Sequence, residues 1–121
     1  MNTPKACAST RGMRIYLAGP MTGHPDLNFP LFYAEAQRLR ATGHEVVNPA
    51  EINVDPAKGW EDCMRADIAE LVTCEAIAML PGWQNSRGAT LEHHIATALG
   101  LRVIDLNELG STAIAQQKGG L

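Results

Sequence analysis

Apolar positions along this chain alternate between two periods. Met13-Arg14-Ile15-Tyr16-Leu17-Ala18 is a compact β-type run, stopped by Gly19-Pro20. The turn continues through Met21-Thr22-Gly23, and His24-Pro25-Asp26-Leu27 extends the loop. Asn28 then reads as an N-cap, with Pro30 in the first turn of a helix that runs to about Thr42. Phe32, Ala36 and Leu39 share the inner face of that helix, and Arg38 and Arg40 the outer one. Gly43 closes it, as a residue free to adopt a left-handed conformation. His44 to Asn48 is a second short strand, stopped by Pro49. From Pro49 to Gly59 the Asn, Asp, Pro and Gly content forbids a long element. From Trp60 to Val72 the apolar residues recur at spacings of three and four, which predicts a helix. Glu75 to Leu80 is apolar almost throughout, as a buried central parallel strand should be. Pro81 to Gly88 is a polar loop. Ala89 to Leu99 is a helix closed by Gly100, and Arg102 to Leu106 is a fourth strand.

Strands that alternate with helical segments imply parallel pairing and right-handed crossovers. The expected fold is α/β: a flavodoxin-like or Rossmann-like three-layer sandwich with a four- to five-stranded parallel sheet. Residues 13–110 are expected to form one domain, with loose tails at 1–12 and 111–121. Thr112 to Gln117 could still make one or two helical turns.

Composition narrows the function classes. With 121 residues, 45% hydrophobic and 19% charged, the chain suits one globular domain and is not disordered. A net charge of -3 and the lack of a Lys/Arg run give no footprint for a nucleic acid polymer. No apolar stretch approaches the roughly 20 residues that span a bilayer, and the N-terminus lacks the apolar region of a secretory signal. No membrane partner is expected. Three cysteines, Cys7, Cys63 and Cys74, are an odd number without CxxC spacing. They read as reduced thiols in a cytoplasmic protein, with Cys63 and Cys74 in the core.

Two carboxylates carry the candidate chemistry. Positions 60, 64, 67 and 71 fall within about 60° of one another on a helix, so Asp67 lies in the stripe of Trp60, Met64 and Leu71. A buried carboxylate without partners costs several kcal/mol. Asp67 is therefore either hydrogen-bonded structurally or aimed into a cleft, where it would orient a sugar hydroxyl or a catalytic group. Glu92 closes the stretch Asn85-Ser86-Arg87-Gly88-Ala89-Thr90-Leu91-Glu92, which leads from the third strand into a helix. Such strand-to-helix turns are where parallel sheets bind ligands. Glu92 is expected on the flank of its helix, between the stripe of Leu91, Ile95 and Ala98 and the solvent. It either complements the helix dipole or serves as a nucleophile.

Other motifs exclude more than they suggest. Gly19-Pro20-Met21-Thr22-Gly23 fits neither GxGxxG nor the Walker pattern. His93 and His94 are adjacent and hence on different faces, so a metal site is not expected. Ser86 has no nucleophile-elbow context. Trp60 reads as core. Trp83, between Gly82 and Gln84, would stack on a base or cover a dimer rim.

Taken together, Arg14 to Pro20 with its Tyr-Leu-Ala-Gly-Pro sequence, Asp67, and Ser86 to Glu92 followed by Ala98-Leu99-Gly100-Leu101-Arg102-Val103-Ile104 resemble the nucleoside 2-deoxyribosyltransferase superfamily. The branch most like this chain is a small one frequent in phages and prophages. The resemblance spans about Met13 to Leu106. It implies cleavage of an N-glycosidic bond in a nucleoside or nucleoside 5′-monophosphate, without metal or redox cofactor. Glu92 matches the nucleophile, Asp67 the residue that orients it or binds a sugar hydroxyl, and Tyr16 the residue that positions it. Ser86 matches a 5′-phosphate ligand, with Arg87 adding charge. Gly19, Pro20, Met21, Trp83, Asn85 and Gly88 complete the implied substrate site. A homodimer or larger homo-oligomer is implied as well. The chain departs from the pattern at two places. The Asp that helps protonate the base has only Glu75 and Asn85 as candidates, and His94 stands where a Gly is usual. These departures motivate an alternative, a nucleotide-binding or sensor module without catalysis.

Overall fold

The structure is a computed structural model and describes residues 12–106, apart from residues 54 and 56. The expected tails, except residue 12, lie outside the described residues, as does Cys7. The elements follow the alternating order. β1 is Arg14–Ala18, α1 Phe29–Ala41, β2 Glu45–Val47 and α2 the single turn Pro49–Ile52. α3 is Trp60–Leu71, β3 Ala76–Met79, α4 Arg87–Ala98 and β4 Arg102–Asp105. The four strands form one sheet in the order β2-β1-β3-β4. Every pairing is parallel, with Tyr16 opposite Val47 on one side and Ile77 on the other.

Alternation along the strands divides the core in two. Ile15 and Leu17 face α1, where Phe32, Ala36 and Leu39 cover them together with Ala76, Ala78 and Leu80. Tyr16, Ala18, Ile77 and Met79 face the other way, toward Leu71 of α3 and Ala89 and Ala96 of α4. The result is the expected α/β three-layer, flavodoxin-like arrangement, with helices on both faces of a parallel sheet.

Local chemistry explains most boundaries. Gly43 and Gly100, at φ 98° and 81°, end α1 and α4 in the left-handed conformation that a side chain resists. Ser86 caps α4 by accepting the Ala89 N–H, and Asn48 caps α2 by accepting the Ala50 N–H. Asn28 occupies the start of α1 but does not cap it. Its amide donates to the Pro20 carbonyl instead, and Asp26, Leu27 and Asn28 all carry positive φ.

The inner face of α4 is the clearest departure from the hydrophobic pattern. Ala89, Glu92 and Ala96 turn inward, whereas Leu91 and Leu99 are exposed. Small side chains let this helix lie close to β1 and β3, with Ile95 partly buried beside them and the two leucines left on the outer side. At the opposite, amino-terminal end of the sheet, Arg14 pairs with Glu45 and Glu70, and its N–H donates to the Glu75 carboxylate. No helix among the described residues is long and apolar enough to cross a membrane.

Candidate active site

The strand order reverses direction between β1 and β3, and a crevice forms beyond the carboxyl ends of these neighbours. A cavity of about 860 Å³ occupies that crevice. This lies within the 300–1,000 Å³ range of small-molecule sites. Its wall is built from the loop after β1, the segment joining β2 to α3, the inner face of α3, and the start of α4. Gly19 fits here because backbone and neighbour nearly touch. A Cβ at this position would lie 2.6 Å from Cβ of Leu80, which follows β3.

Three side chains meet at the base of the cavity, where Asp67 and Glu92 border it and Tyr16 lies behind them without lining it. Tyr16 is fully buried in β1, and its hydroxyl donates to Oε2 of Glu92 at 2.7 Å. Glu92, on the inner face of α4, is only 5% exposed. Asp67, on the inner face of α3, is 6% exposed. Its Oδ1 accepts a 2.8 Å hydrogen bond from the Asn53 amide, and Lys58 Nζ donates to the Asn53 carbonyl oxygen at 3.4 Å. Glu92 and Asp67 both border the cavity.

Burial sets the protonation of this cluster. Loss of water pushes Glu92 up to about 8, against the pull of the Tyr16 hydroxyl and with added repulsion from Asp67. Asp67 is raised to about 6, mainly by burial. Asn53, Lys58 and Tyr16 hold it below what burial alone would give. Burial and the two carboxylates together drive Tyr16 well above an ordinary tyrosine. Near neutral pH one carboxylate is therefore mostly ionised and its neighbour mostly protonated. Two acids whose environments separate their titrations are a frequent acid–base arrangement.

The mouth of the cavity is cationic and aromatic. The Arg87 guanidinium lies over the Trp60 ring, 3.7 Å from its centroid. Ser86, Arg87 and Gly88 present the N-terminal turn of α4 there, where free N–H groups favour an anion. The Ser86 hydroxyl has a structural task already, as the cap of that helix.

A model of the family described as a domain of unknown function, DUF4406, matches residues 13–105. The chain belongs to this family. No curated protein matches it. The DUF4406 segment contains the whole Tyr16, Asp67 and Glu92 cluster and all of the cavity wall described above.

The expected site residues can now be placed. Gly19, Pro20, Met21, Asn85, Ser86, Arg87 and Gly88 all border the cavity beside Asp67 and Glu92. Trp83 is not among the residues that border it. Its ring stacks on His93, with centroids 4.4 Å apart, so it packs against α4, the helix that follows its turn. Glu92 is not on a flank but in the buried face, because Ala89 and Ala96 make that face narrow enough to approach the sheet. Glu75 lies at the amino end of the sheet, bonded to the Arg14 N–H, and cannot serve a base in the cavity at the other end. His94 is exposed, so the departure at that position leaves the cavity unchanged. Trp60 and Cys63 are only half-buried and border the cavity instead of filling the core, whereas Cys74 is buried.

Sequence reasoning missed Asn53, Asp55, Lys58 and His24, which also line the cavity. They sit in irregular segments, where periodicity says nothing. The one available signal was a density of polar residues after β2, the carboxyl end of a strand. Among the described residues, no group of three His, Cys, Asp or Glu side chains is placed to hold a metal ion.

Proposed function

We propose that this protein cleaves the N-glycosidic bond of a nucleoside or nucleoside 5′-monophosphate, by hydrolysis or by transfer of the deoxyribosyl group. One observation carries this reading. A buried glutamate, held by a tyrosine hydroxyl at 2.7 Å and accompanied by a second carboxylate, stands at a ligand-sized crevice between β1 and β3. In this mechanism an ionised Glu92 oxygen bonds to the anomeric carbon as the bond to the base nitrogen breaks. The bonding electron pair leaves with the base. Water, or a second base, then attacks the same carbon and releases Glu92. Two inversions retain configuration, as in retaining glycoside hydrolysis. Tyr16 stabilises the attacking carboxylate, and Asp67 accepts a sugar hydroxyl. Arg87 and the first turn of α4 attract a 5′-phosphate where the substrate carries one.

The protonation of Glu92 favours a second reading. With its titration near pH 8, most of the ligand-free protein at pH 7 carries a neutral carboxyl, a weak nucleophile but a good hydrogen-bond donor. A module that binds nucleotides without turning them over would use Glu92 in that way. Base release from a panel of nucleosides and nucleoside monophosphates, followed by chromatography, separates the two. Release by wild type that disappears in Glu92→Gln supports the enzyme. A nucleotide that raises the melting temperature of both proteins while neither releases base supports the binding module.

Self-association belongs to the same proposal. Leu91 and Leu99 on the outer side of α4, and Val72 at the end of α3, are 38%, 58% and 50% exposed. Side chains of this kind gain by covering one another between copies. A sedimentation velocity run that finds monomer at all accessible concentrations would remove this element.

A further inference from the structure

The segment between α2 and α3 is irregular in backbone, yet it supplies the only cation among the described residues that acts on Asp67 through an intermediary. Asn53 donates its amide hydrogen to Asp67 Oδ1 at 2.8 Å, and its own oxygen accepts from Lys58 Nζ at 3.4 Å. Asn53 is half-buried and Lys58 is half-buried, and both line the same cavity as Asp67. The amide thus spaces the ammonium away from the carboxylate. A direct Lys–Asp ion pair would tie up the carboxylate. An interposed amide polarises toward it and leaves the rest of it to other partners.

We infer that Asn53, backed by Lys58, is a positioning residue that fixes the orientation and charge of Asp67 for contact with a sugar hydroxyl. The part of this statement that concerns sugar rests on the glycosidic reading above. The part that concerns Asp67 does not.

The surroundings of Asp67 explain why such a device is needed. Tyr16 approaches from β1 and Glu92 from α4, and Cys63 lies one turn earlier on α3. Asp55 joins the cavity wall from the loop itself. None of these is a cation. Burial opposes ionisation of Asp67, and Asn53 and Lys58 are the groups that favour it most, ahead of Tyr16. Asn suits the position because its side chain both donates and accepts. Alanine does neither. Aspartate would bring a third carboxyl beside Glu92 and Asp67 and, ionised, would have no hydrogen to donate.

The test is a titration of the Asp67 side-chain carboxyl carbon by ¹³C NMR, with the resonance assigned from its loss in Asp67→Asn. Wild type is expected to titrate near 6. Asn53→Ala is expected to raise that midpoint by about one pH unit, the usual effect of losing one good hydrogen bond to a charged group. Lys58→Met should raise it by less, and Lys58→Arg should return it toward wild type. Unchanged midpoints in both Asn53→Ala and Lys58→Met would overturn the inference. Should Asn53→Ala not fold, as judged by circular dichroism, the two Lys58 variants decide alone. Base release measured on the same proteins is read separately. A shifted midpoint with no base release from wild type leaves the positioning role standing and removes the glycosidic reading. Base release from wild type with unmoved midpoints does the reverse. Where both hold, the inflection of kcat/KM near pH 6, below the Glu92 limb near 8, should move upward with the NMR midpoint, and kcat should fall more than KM rises.

Discussion

Replacing Tyr16 with Phe probes the proposed mechanism most directly, because it deletes one oxygen and leaves the packing. The ring is fully buried in β1, and its hydroxyl is the donor to Glu92 at 2.7 Å. With Glu92 as nucleophile, the active form is the ionised one, so kcat/KM should rise with pH and level off above about 8. At pH 7, one unit below that midpoint, about a tenth of the protein carries the ionised Glu92 that the proposed mechanism needs. A hydrogen bond to a charged group contributes about 1.5–3 kcal/mol. Its loss corresponds to about one to two pH units at 1.36 kcal/mol per unit. The rising limb in Tyr16→Phe should therefore move to about pH 9–10, and the rate at pH 7 should fall about tenfold to a hundredfold. The plateau at high pH should change less. The assay is initial-rate base release between pH 5 and 10, with melting temperatures as a control for folding. A limb that stays near 8 in the variant would show that the hydroxyl does not govern the carboxylate. A profile that falls through pH 8 in wild type would make Glu92 a proton donor instead of a nucleophile.

Further outcomes follow from the same geometry. Between the ordinary glutamate value of 4.5 and about 8, the folded protein keeps a proton on Glu92 that the unfolded chain releases, so the wild type loses stability as pH rises through that window. The melting temperature of Glu92→Gln relative to wild type should increase by about 5 °C or more from pH 5 to pH 9; a decrease would contradict burial as the cause. Gly19→Ala must push Leu80 or the β1 turn aside, since the new Cβ would sit 2.6 Å from Leu80, and should cost about 1–3 kcal/mol in urea unfolding. Wild-type stability in that variant would show that the turn has room to shift. Ser86→Ala removes the cap of α4 and should cost about 1 kcal/mol. If Ser86 also holds a phosphate, Ser86→Ala should weaken nucleoside monophosphates more than nucleosides, which direct binding titrations would reveal.

The layer order and the two carboxylates were legible from the chain because each rests on a local rule. Short apolar runs bounded by Gly and Pro gave the strands, and spacings of three and four gave α3 with Asp67 in its stripe. Glu92 was found from its place after a strand, but its burial was misjudged. Periodicity weighs Leu91 and Leu99 heavily, while the face that turned inward consists of Ala89, Glu92 and Ala96. Closeness to the sheet, a tertiary property, outweighed hydrophobicity. Trp60 was assigned to the core by the same weighting, yet it is half-buried under Arg87. Asn53 and Lys58 were invisible for a different reason. Their partner Asp67 is 14 residues from Asn53, across a loop with no repeat, so only the folded chain brings them together.

Ala89 and Ala96 set how far Glu92 stands from water. Both are essentially inaccessible, one turn on either side of the glutamate, and their methyl groups fix the gap between α4 and the sheet. A bulkier residue at either place would lift the helix, let solvent reach the carboxyl and return it toward ordinary acidity. The proton affinity of Glu92 is thus tunable by side-chain volume three or four residues away, with no change in any charge. Relatives that work at different pH values could be sought by the size of these two side chains.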